Sequence, residues 1–327
     1  MFHSKVFTAW FFAAIAVWAL LFWQLNSLSF LAEYWYYPAV MVVGAFVAGL
    51  TPEGGGAVAF PTLNVFMEVD RGIARDFSLM IQSIGMTSAS IFLLTRPGAV
   101  RRDYAPLLWY IPVCFAGFLI GLETLQAIPV YLIQALFLSL ITSFVTAYFF
   151  SDHRGRETHP HIRTMTDTAW TVAILLTGGL AASLFGTGAD IILYTLLVTR
   201  FHMQEKLATH YSIMLMAAVS VLGFAWRGLV EQDISNFQIR TWLNAYPVVL
   251  FMAPFGALIL TRINVEWMLK GLIALNVMQL AYFNLNGPSL EKFAASAVFS
   301  LVLGGVFFLS MRHVAAKARE RAAAANA

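Results

Sequence analysis

The sequence is poor in charged residues and contains only one cysteine. Only 11% of its 327 residues are Asp, Glu, Lys or Arg, whereas soluble domains average about 25%. With 60% hydrophobic residues and a mean hydropathy of +0.74, this composition excludes an ordinary soluble domain. The single Cys114 excludes a disulfide framework and a cysteine-ligated metal. The chain is therefore predicted to be an all-α, polytopic integral membrane protein.

The sequence also lacks the residue patterns of ATP-driven and catalytic proteins. It contains no phosphate-binding P-loop, no nucleophile elbow and no zinc-protease helix. Its apolar segments hold almost no histidine, so no haem or metal ligand set is expected. An intramembrane enzyme or a subunit of a redox complex would need such groups and is the weaker alternative. We therefore expect no enzymatic activity, no cofactor and no bound metal.

Apolar segments run through the whole chain, and a helix of about 20 residues spans a ~30 Å hydrocarbon core. The first, within residues 1–30, is too long and too rich in tryptophan for a signal peptide, so we expect a retained transmembrane helix. Residues 313–327 form an alanine-rich cytoplasmic tail, expected to be helical or disordered. Apolar segments are predicted at residues 6–24, 77–95, 105–122, 129–150, 207–226, 242–261, 266–283 and 293–311.

Two glycine-rich elements interrupt apolar runs between these segments. The apolar run before the first element is long enough for a helix of only ~17 Å, about half of the hydrocarbon core. Irregular backbone at membrane depth is tolerated only where protein buries it or where it lines a cavity. Each element is therefore predicted to be the tip of a re-entrant helical hairpin. The first tip is Thr51-Pro52-Glu53-Gly54-Gly55-Gly56, and the second tip is Gly186-Thr187-Gly188-Ala189-Asp190.

The chain contains an internal duplication. A gapless shift of 134 residues superposes Gly44 on Gly178, Gly54 on Gly188 and Ser78 on Ser212. Matching glycines and serines are harder to obtain by chance than matching leucines. The sequence thus predicts two repeats, at residues 34–151 and 168–312, separated by a cytoplasmic loop at residues 152–167.

The distribution of basic residues predicts the orientation in the membrane. If both hairpins are re-entrant and the N-terminus is cytoplasmic, 15 of the 20 Lys and Arg residues face the cytoplasm. Full crossings by the hairpins would place the basic segments 96–102 and 154–163 opposite Lys5, which is a poorer fit. Re-entry leaves three crossings between the hairpins, so the second repeat would be inverted relative to the first. The two tips are then expected to meet near the midplane, with both chain termini cytoplasmic.

The tips carry the residues that are expected to bind a substrate. Thr51, Pro52 and Glu53 have the pattern of a helix start, and Thr187 and Asp190 have the spacing of a capping box. Two helix N-termini aimed at one point would form an anion site, and glycines would let the substrate approach the backbone. The candidate substrate-binding residues are Thr51, Glu53, Gly54, Gly55, Gly56, Ser78, Gln82, Thr187, Gly188, Ala189, Asp190 and Ser212.

Glu53 and Asp190 are also the candidates for coupling a proton to transport. An anion bound at the tips would repel a carboxylate there, and desolvation would also disfavour its charged form. Binding of the anion and of a proton would then be linked. Glu53 is the better candidate for carrying the proton, because Asp190 has a competing role at the start of its helix. Both acids have a structural alternative, which is to cap their own helices.

Structural alternatives apply to the other candidates as well. The glycines could serve only close helix packing, and Ser78 and Ser212 could bond back to their own helices. Gln82 is a polar residue within an apolar segment, a setting in which glutamines more often bridge helices than bind ligands. Arg75 and His210 follow the two hairpins and are interpreted as solvated, interfacial residues.

The tip residues and their spacing resemble the sulfite exporter (TauE/SafE) family of membrane permeases. Each of two repeats in that family opens with a Gly-x-Gly-Gly-Gly element, followed by an apolar stretch with Pro-x-Leu. The first repeat here has residues 52–56 and then Pro61-Thr62-Leu63, and the second has residues 186–190 and then Thr195-Leu196-Leu197. The step from Ala74 to Ser78 recurs from Ala208 to Ser212.

The resemblance covers roughly residues 38–311 and implies a transporter that exports sulfite, a sulfonate or another small anion, driven by the proton gradient. The implied location is the bacterial inner membrane, and the implied partners are the anion, H⁺ and membrane lipid, with no nucleic acid. Pro52 replaces the first glycine of the family pattern, and Ala189 and Asp190 replace the last two in the second repeat. The substrate could therefore differ from sulfite. A channel-like anion permease on the same scaffold is the alternative.

Overall fold

A computed structural model describes the backbone at residues 2, 4–150, 155 and 157–325. Within these residues the chain is helical, and the pairing of extended backbone is limited to one isolated bridge between Glu157 and Met203. The all-α prediction is confirmed. Residues 152–154 and 156 of the predicted loop lie outside the described residues.

The described residues form thirteen α-helices, and the predicted segments all coincide with one of them. Short π-helical segments follow α4 at Thr62–Phe66 and α10 at Trp226–Val230. The helices are α1 (Lys5–Leu25), α2 (Leu28–Glu33), α3 (Tyr36–Leu50), α4 (Gly56–Pro61), α5 (Arg71–Thr95), α6 (Leu107–Thr124), α7 (Val130–Phe149), α8 (Met165–Phe185), α9 (Ala189–Thr199), α10 (Glu205–Ala225), α11 (Asn236–Leu260), α12 (Val265–Leu285) and α13 (Leu290–Ala325).

Eight helical segments in the described residues are long and apolar enough to cross a membrane. They contain α1, α5, α6, α7, α8, α10, α11 and the first part of α13. Three of them, α5, α6 and α7, lie between the two predicted hairpins, as expected. Together with the composition, these segments make the chain an integral membrane protein.

Polar residues at the N-termini of the long helices define where they begin. The Asp70 carboxylate accepts hydrogen bonds from the first N–H groups of α5, from Gly72 at 2.8 Å and Ile73 at 3.2 Å. Complete capping boxes begin α8, at Thr164 and Asp167, and α11, at Ser235 and Gln238. Such caps satisfy N–H groups that have no partner inside the helix.

The chain divides into two compact units, of which the first comprises residues 1–126, 164–193 and 209–262. In this unit α3 packs along α11, and α6 packs along α8. Glycines allow the backbones to touch: Gly49 of α3 faces the Ala253 carbonyl, and Gly256 of α11 faces the Phe46 carbonyl. Small residues that permit this approach are the usual contacts between helices in membranes.

These two helix pairs repeat one another. A shift of 135 residues superposes Pro112 and Gly121 of α6 on Pro247 and Gly256 of α11. Each of these helices packs against the first arm of the hairpin in the other repeat. Equivalent positions therefore make reciprocal contacts, which supports the duplication inferred from the sequence.

The second unit comprises residues 127–163, 194–208 and 263–327. Here α7 packs against α12 and α13, with serine and threonine hydroxyls bonding across the helices. Ser139 Oγ donates to the Ser296 carbonyl at 3.3 Å, and Thr142 Oγ1 donates to the Asn276 carbonyl at 3.3 Å. Within a membrane the hydrophobic effect does not drive helices together, so hydrogen bonds of this kind help to hold them in contact.

The lengths of the hairpin arms bear on the re-entrant prediction. Three arms are short apolar helices: α3 has 15 residues, Gly56–Phe66 forms the second, and α9 has 11 residues. The fourth arm, α8, has 21 residues and is long enough to cross the membrane. Re-entry and inversion of the second repeat therefore stay predictions.

Candidate functional site

The two glycine-rich tips are in contact. The Thr187 hydroxyl of the second tip lies 3.5 Å from the Glu53 carbonyl oxygen of the first. It lies 3.4 Å from Gln82 Oε1 on α5. All of these residues belong to the first unit and are buried, with Thr187 and Glu53 at most 1% exposed. The expected meeting of the tips is thus present.

The tips are built in the same way. In the first, Gly55 folds back onto Gly44 of α3, and in the second, Ala189 folds back onto Gly178 of α8. The 134-residue shift superposes these two contacts. Gly54 and Gly188, which it also superposes, both have positive φ, at +71° and +106°. A left-handed backbone of this kind favours glycine.

The predicted helix start in the first tip is wrong. Thr51 ends α3 instead, because its hydroxyl donates to the Val47 carbonyl at 2.9 Å and accepts from the Glu53 N–H at 3.3 Å. The next helix begins only at Gly56. The left-handed conformation of Gly54 turns the chain, so residues 51–55 form the turn and not the first helical turn.

This turn contains backbone donors that lack a well-formed hydrogen bond. In the described part of the chain, the N–H groups of Gly54, Gly55 and Gly56 make no well-formed hydrogen bond, although all three residues are buried. Gly54 has positive φ and Gly55 is right-handed, with φ −71° and ψ −25°. Successive N–H groups on backbone of alternating hand form a concave nest that binds anions. We call residues 54–56 the open nest.

The second tip differs because its own carboxylate occupies the corresponding place. Asp190 Oδ1 accepts hydrogen bonds from the Gly188 and Ile191 N–H groups, both at 3.0 Å. The 134-residue shift superposes Asp190 on Gly56, which has no side chain. The capping box predicted between Thr187 and Asp190 is therefore wrong. The Asp190 carboxylate accepts from the Gly188 N–H instead, and the Thr187 hydroxyl points to the first tip.

The contact between the tips is lined by oxygen atoms. A Cβ built on Gly54 would overlap Asp190 Oδ2 and lie 2.7 Å from Gln82 Oε1 and 2.9 Å from Thr187 Oγ1. Glycine is the residue that fits at this position. Asp190 is fully buried, and its Oδ2 has no hydrogen-bond partner among the described residues.

The remaining candidates lie around this contact in different ways. Gln82 bridges α5 to the second tip, because its Nε2 donates to the Gly186 carbonyl at 2.6 Å and to the Ser78 carbonyl at 2.9 Å. Ser78 lies against Gly186, and its hydroxyl bonds back to the Ala74 carbonyl at 2.8 Å. The buried Ser212 hydroxyl makes no hydrogen bond to a described residue and so is not bonded to either tip.

A buried ionic cluster beside the second tip was not predicted. Its centre is Asp76, which accepts from Arg75 Nε at 2.8 Å and from Arg227 Nη2 at 3.0 Å. Gln238 donates to the same carboxylate at 3.2 Å. The Arg75 carbonyl lies against Gly186 of the second tip. Asp76 and Arg227 are far apart in sequence, so local spacing gave no signal for this pair.

The burial of Arg75 and of His210 corrects their interpretation as interfacial residues. Arg75 is 5% exposed, and His210 is 2% exposed, with its Nδ1 3.1 Å from the Tyr104 hydroxyl. Arg75 is held by Asp76 on its own helix and by Gln126 Oε1, which accepts from Arg75 Nη1 at 2.8 Å. Within the described residues, no three His, Cys, Asp or Glu side chains come close enough to hold a metal ion.

Comparison with known proteins points to one family. The family described as Sulfite exporter TauE/SafE matches residues 36–284, which include both tips and the three helices between the hairpins. No curated protein and no solved structure matches the chain.

Proposed function

Because the chain belongs to the sulfite exporter TauE/SafE family, whose members are membrane transporters and not enzymes, we propose that it exports a small anion such as sulfite or an organosulfonate. The substrate binds at the contact between the two tips. The protein works as a secondary transporter in the bacterial inner membrane, with both termini cytoplasmic. Two inverted repeats alternate the access to this contact from the two sides.

The observation that carries the proposal is the open nest. Three buried N–H groups without a well-formed hydrogen bond are rare in folded proteins, because each lost hydrogen bond costs free energy. An anion would satisfy them, and a hydrogen bond to a charged group contributes about 1.5–3 kcal/mol. In the second tip a carboxylate already does so, since Asp190 Oδ1 accepts from Gly188 and Ile191. Sulfite and sulfonates present oxygen atoms of similar charge to this carboxylate.

A matched pair of variants tests the nest. Gly55 has φ −71°, which suits both alanine and proline, and an added Cβ would meet its neighbours at an ordinary 3.4 Å. G55A keeps the N–H group, whereas G55P removes it. We expect G55P to bind the anion about ten- to a hundred-fold more weakly than G55A. Binding of sulfite, thiosulfate, sulfate, sulfoacetate and taurine is measured by calorimetry on the purified protein. Equal affinities of the two variants would argue against the nest as the binding site.

Coupling to protons is the second element of the proposal, and Glu53 carries the proton. Glu53 is 1% exposed and lies at the contact between the tips. A bound anion would disfavour its charged form, so binding of the anion would promote binding of a proton. E53Q should still bind the anion but should lose transport driven by a pH gradient.

Flux in proteoliposomes with and without an imposed pH gradient measures this coupling. Wild-type flux that follows the anion gradient alone would favour the channel-like permease. Full gradient-driven flux in E53Q would leave Glu53 with a structural role in the turn.

A further inference from the structure

The contact between the tips also has the features of a cation site. Asp190 Oδ2, Gln82 Oε1 and Thr187 Oγ1 all approach the same face of Gly54. Gln82 uses its amide hydrogens on the carbonyls of Ser78 and Gly186, so only its oxygen faces the cluster. The Thr187 hydroxyl offers a single hydrogen to two acceptors, Gln82 Oε1 and the Glu53 carbonyl. Among the side chains of the cluster, acceptors therefore outnumber donors.

The charge at this place is not balanced by a basic side chain. Asp190 is fully buried, its Oδ2 has no hydrogen-bond partner, and no ion pair joins it to a described Lys, Arg or His. A buried carboxylate without compensation is costly. With the proton of the proposed function on the Glu53 carboxyl, one monovalent cation neutralises Asp190, whereas a divalent cation leaves an excess positive charge.

The spacing of the oxygen atoms indicates the size of the cation. Thr187 Oγ1 lies 3.4 Å from Gln82 Oε1 and 3.5 Å from the Glu53 carbonyl, which is long for a hydrogen bond. Hard cations of the size of Ca²⁺ and Na⁺ bind oxygen at about 2.4 Å, so ligands at right angles lie about 3.4 Å apart. Mg²⁺ requires about 3.0 Å, and the larger K⁺ requires a wider spacing.

We propose that a Na⁺ ion binds between the tips, held by Asp190 Oδ2, Gln82 Oε1, Thr187 Oγ1 and the Glu53 carbonyl. Its ligands come from both tips and from α5, so the ion stabilises the closed contact between them.

The ion also affects the substrate, a consequence that rests on the proposed function. Gly54 provides one N–H of the open nest and lies against Asp190 Oδ2. Without a cation, this carboxylate repels an anion in the nest. Bound Na⁺ removes the repulsion, and by linkage each ion raises the affinity for the other by the same factor.

The ion site is tested on the full-length protein in detergent, without any anionic substrate. Thermal unfolding is followed while NaCl replaces choline chloride at constant ionic strength, with KCl as a parallel series. A ligand that binds only the folded state raises the melting temperature with its concentration. Wild-type protein should be stabilised by NaCl and not by KCl.

Four variants localise the effect. D190N removes the charge and should abolish the response to Na⁺. T187V keeps the shape but removes one ligand, so it should need about ten-fold more Na⁺, whereas T187S should respond like wild type. E123Q removes an exposed carboxylate elsewhere and should leave the response unchanged. If D190N does not fold, the comparison of T187V with T187S decides the question.

Three outcomes would overturn the inference. Wild-type protein could show no stabilisation by NaCl over choline and KCl. T187V could respond at the same Na⁺ concentration as T187S. The melting temperature could depend on pH through Asp190 but not on Na⁺, which would make Asp190 a proton carrier. A Na⁺ response without any anion binding would instead refute the proposed function and leave the ion site standing.

Discussion

Replacing Gly54 with alanine tests whether the contact between the tips requires a residue without a side chain. Gly54 has φ +71°, a left-handed conformation that costs an alanine about 1–2 kcal/mol. The added Cβ would overlap Asp190 Oδ2 and would lie 2.7 Å from Gln82 Oε1, closer than real Cβ atoms come. Overpacking a buried site costs about 1–3 kcal/mol. We expect G54A to lower the free energy of unfolding by about 2–5 kcal/mol in total.

Gly98 provides a matched control for the backbone part of this effect. Its φ is +81°, but a Cβ added there would have no atom within 4 Å. G98A should therefore cost only the strain of the left-handed backbone, about 1–2 kcal/mol. The difference between the two variants measures the steric part at the contact between the tips.

Two assays separate stability from function. Unfolding by denaturant in detergent gives the free energies, and flux of a labelled anion in proteoliposomes gives the transport rate. G54A should slow transport at least about ten-fold, because the methyl group displaces oxygens of the site and the N–H groups beside it. G98A should transport at close to the wild-type rate. If G54A matches G98A in both assays, the site accommodates a side chain and the argument for bare backbone fails.

The remaining predictions concern the buried cluster and the path of the first hairpin. D76N removes the carboxylate shared by two buried arginines, while Glu231 and Asp233 still pair with Arg227. It should lower the free energy of unfolding by about 1–3 kcal/mol, and an unchanged free energy would mean that Asp76 does not stabilise the fold. Cysteines at the exposed positions Glu33 and Glu68, which flank the first hairpin, should be labelled from the same side of the membrane if the hairpin is re-entrant, and from opposite sides if it crosses. Cysteines at Glu53 and Thr187 in a chain without its native cysteine should be joined by a short crosslinker, and failure of two reactive thiols to crosslink would contradict the contact.

The apolar segments and the internal repeat could be predicted from the sequence, because both depend only on which residues occur and in what order. Low charge and long apolar segments predicted the membrane class and located the long helices, although α5 and α11 begin six residues before the predicted segments. The 134-residue shift paired Gly44 with Gly178 and Gly54 with Gly188. In the structure the first pair makes matching contacts with the tips, and the second pair shares a positive φ. Glycines within apolar runs marked the tips, since irregular backbone at membrane depth must be buried by protein or line a cavity.

Local capping rules failed at the two tips for different reasons. Thr51 has the spacing of a helix start, but its hydroxyl bonds back to Val47 and ends α3. Thr187 has the spacing of a capping box, but its hydroxyl lies against Glu53 and Gln82. Where a side chain can reach partners on another element, the folded structure and not the sequence spacing decides which it takes.

The sequence by itself determined that this is a helical membrane protein with two repeated, glycine-rich tips. Only the tertiary structure decided what each tip does with its polar groups. In the second tip, the Asp190 carboxylate accepts the hydrogen bond of the Gly188 N–H, whereas Gly56, at the superposed position of the first tip, has no side chain to do so. Asp76 pairs with Arg227, which is distant in sequence. These assignments depend on distances between elements, because in a buried, low-dielectric interior each polar group binds whichever complementary group the packing brings within reach.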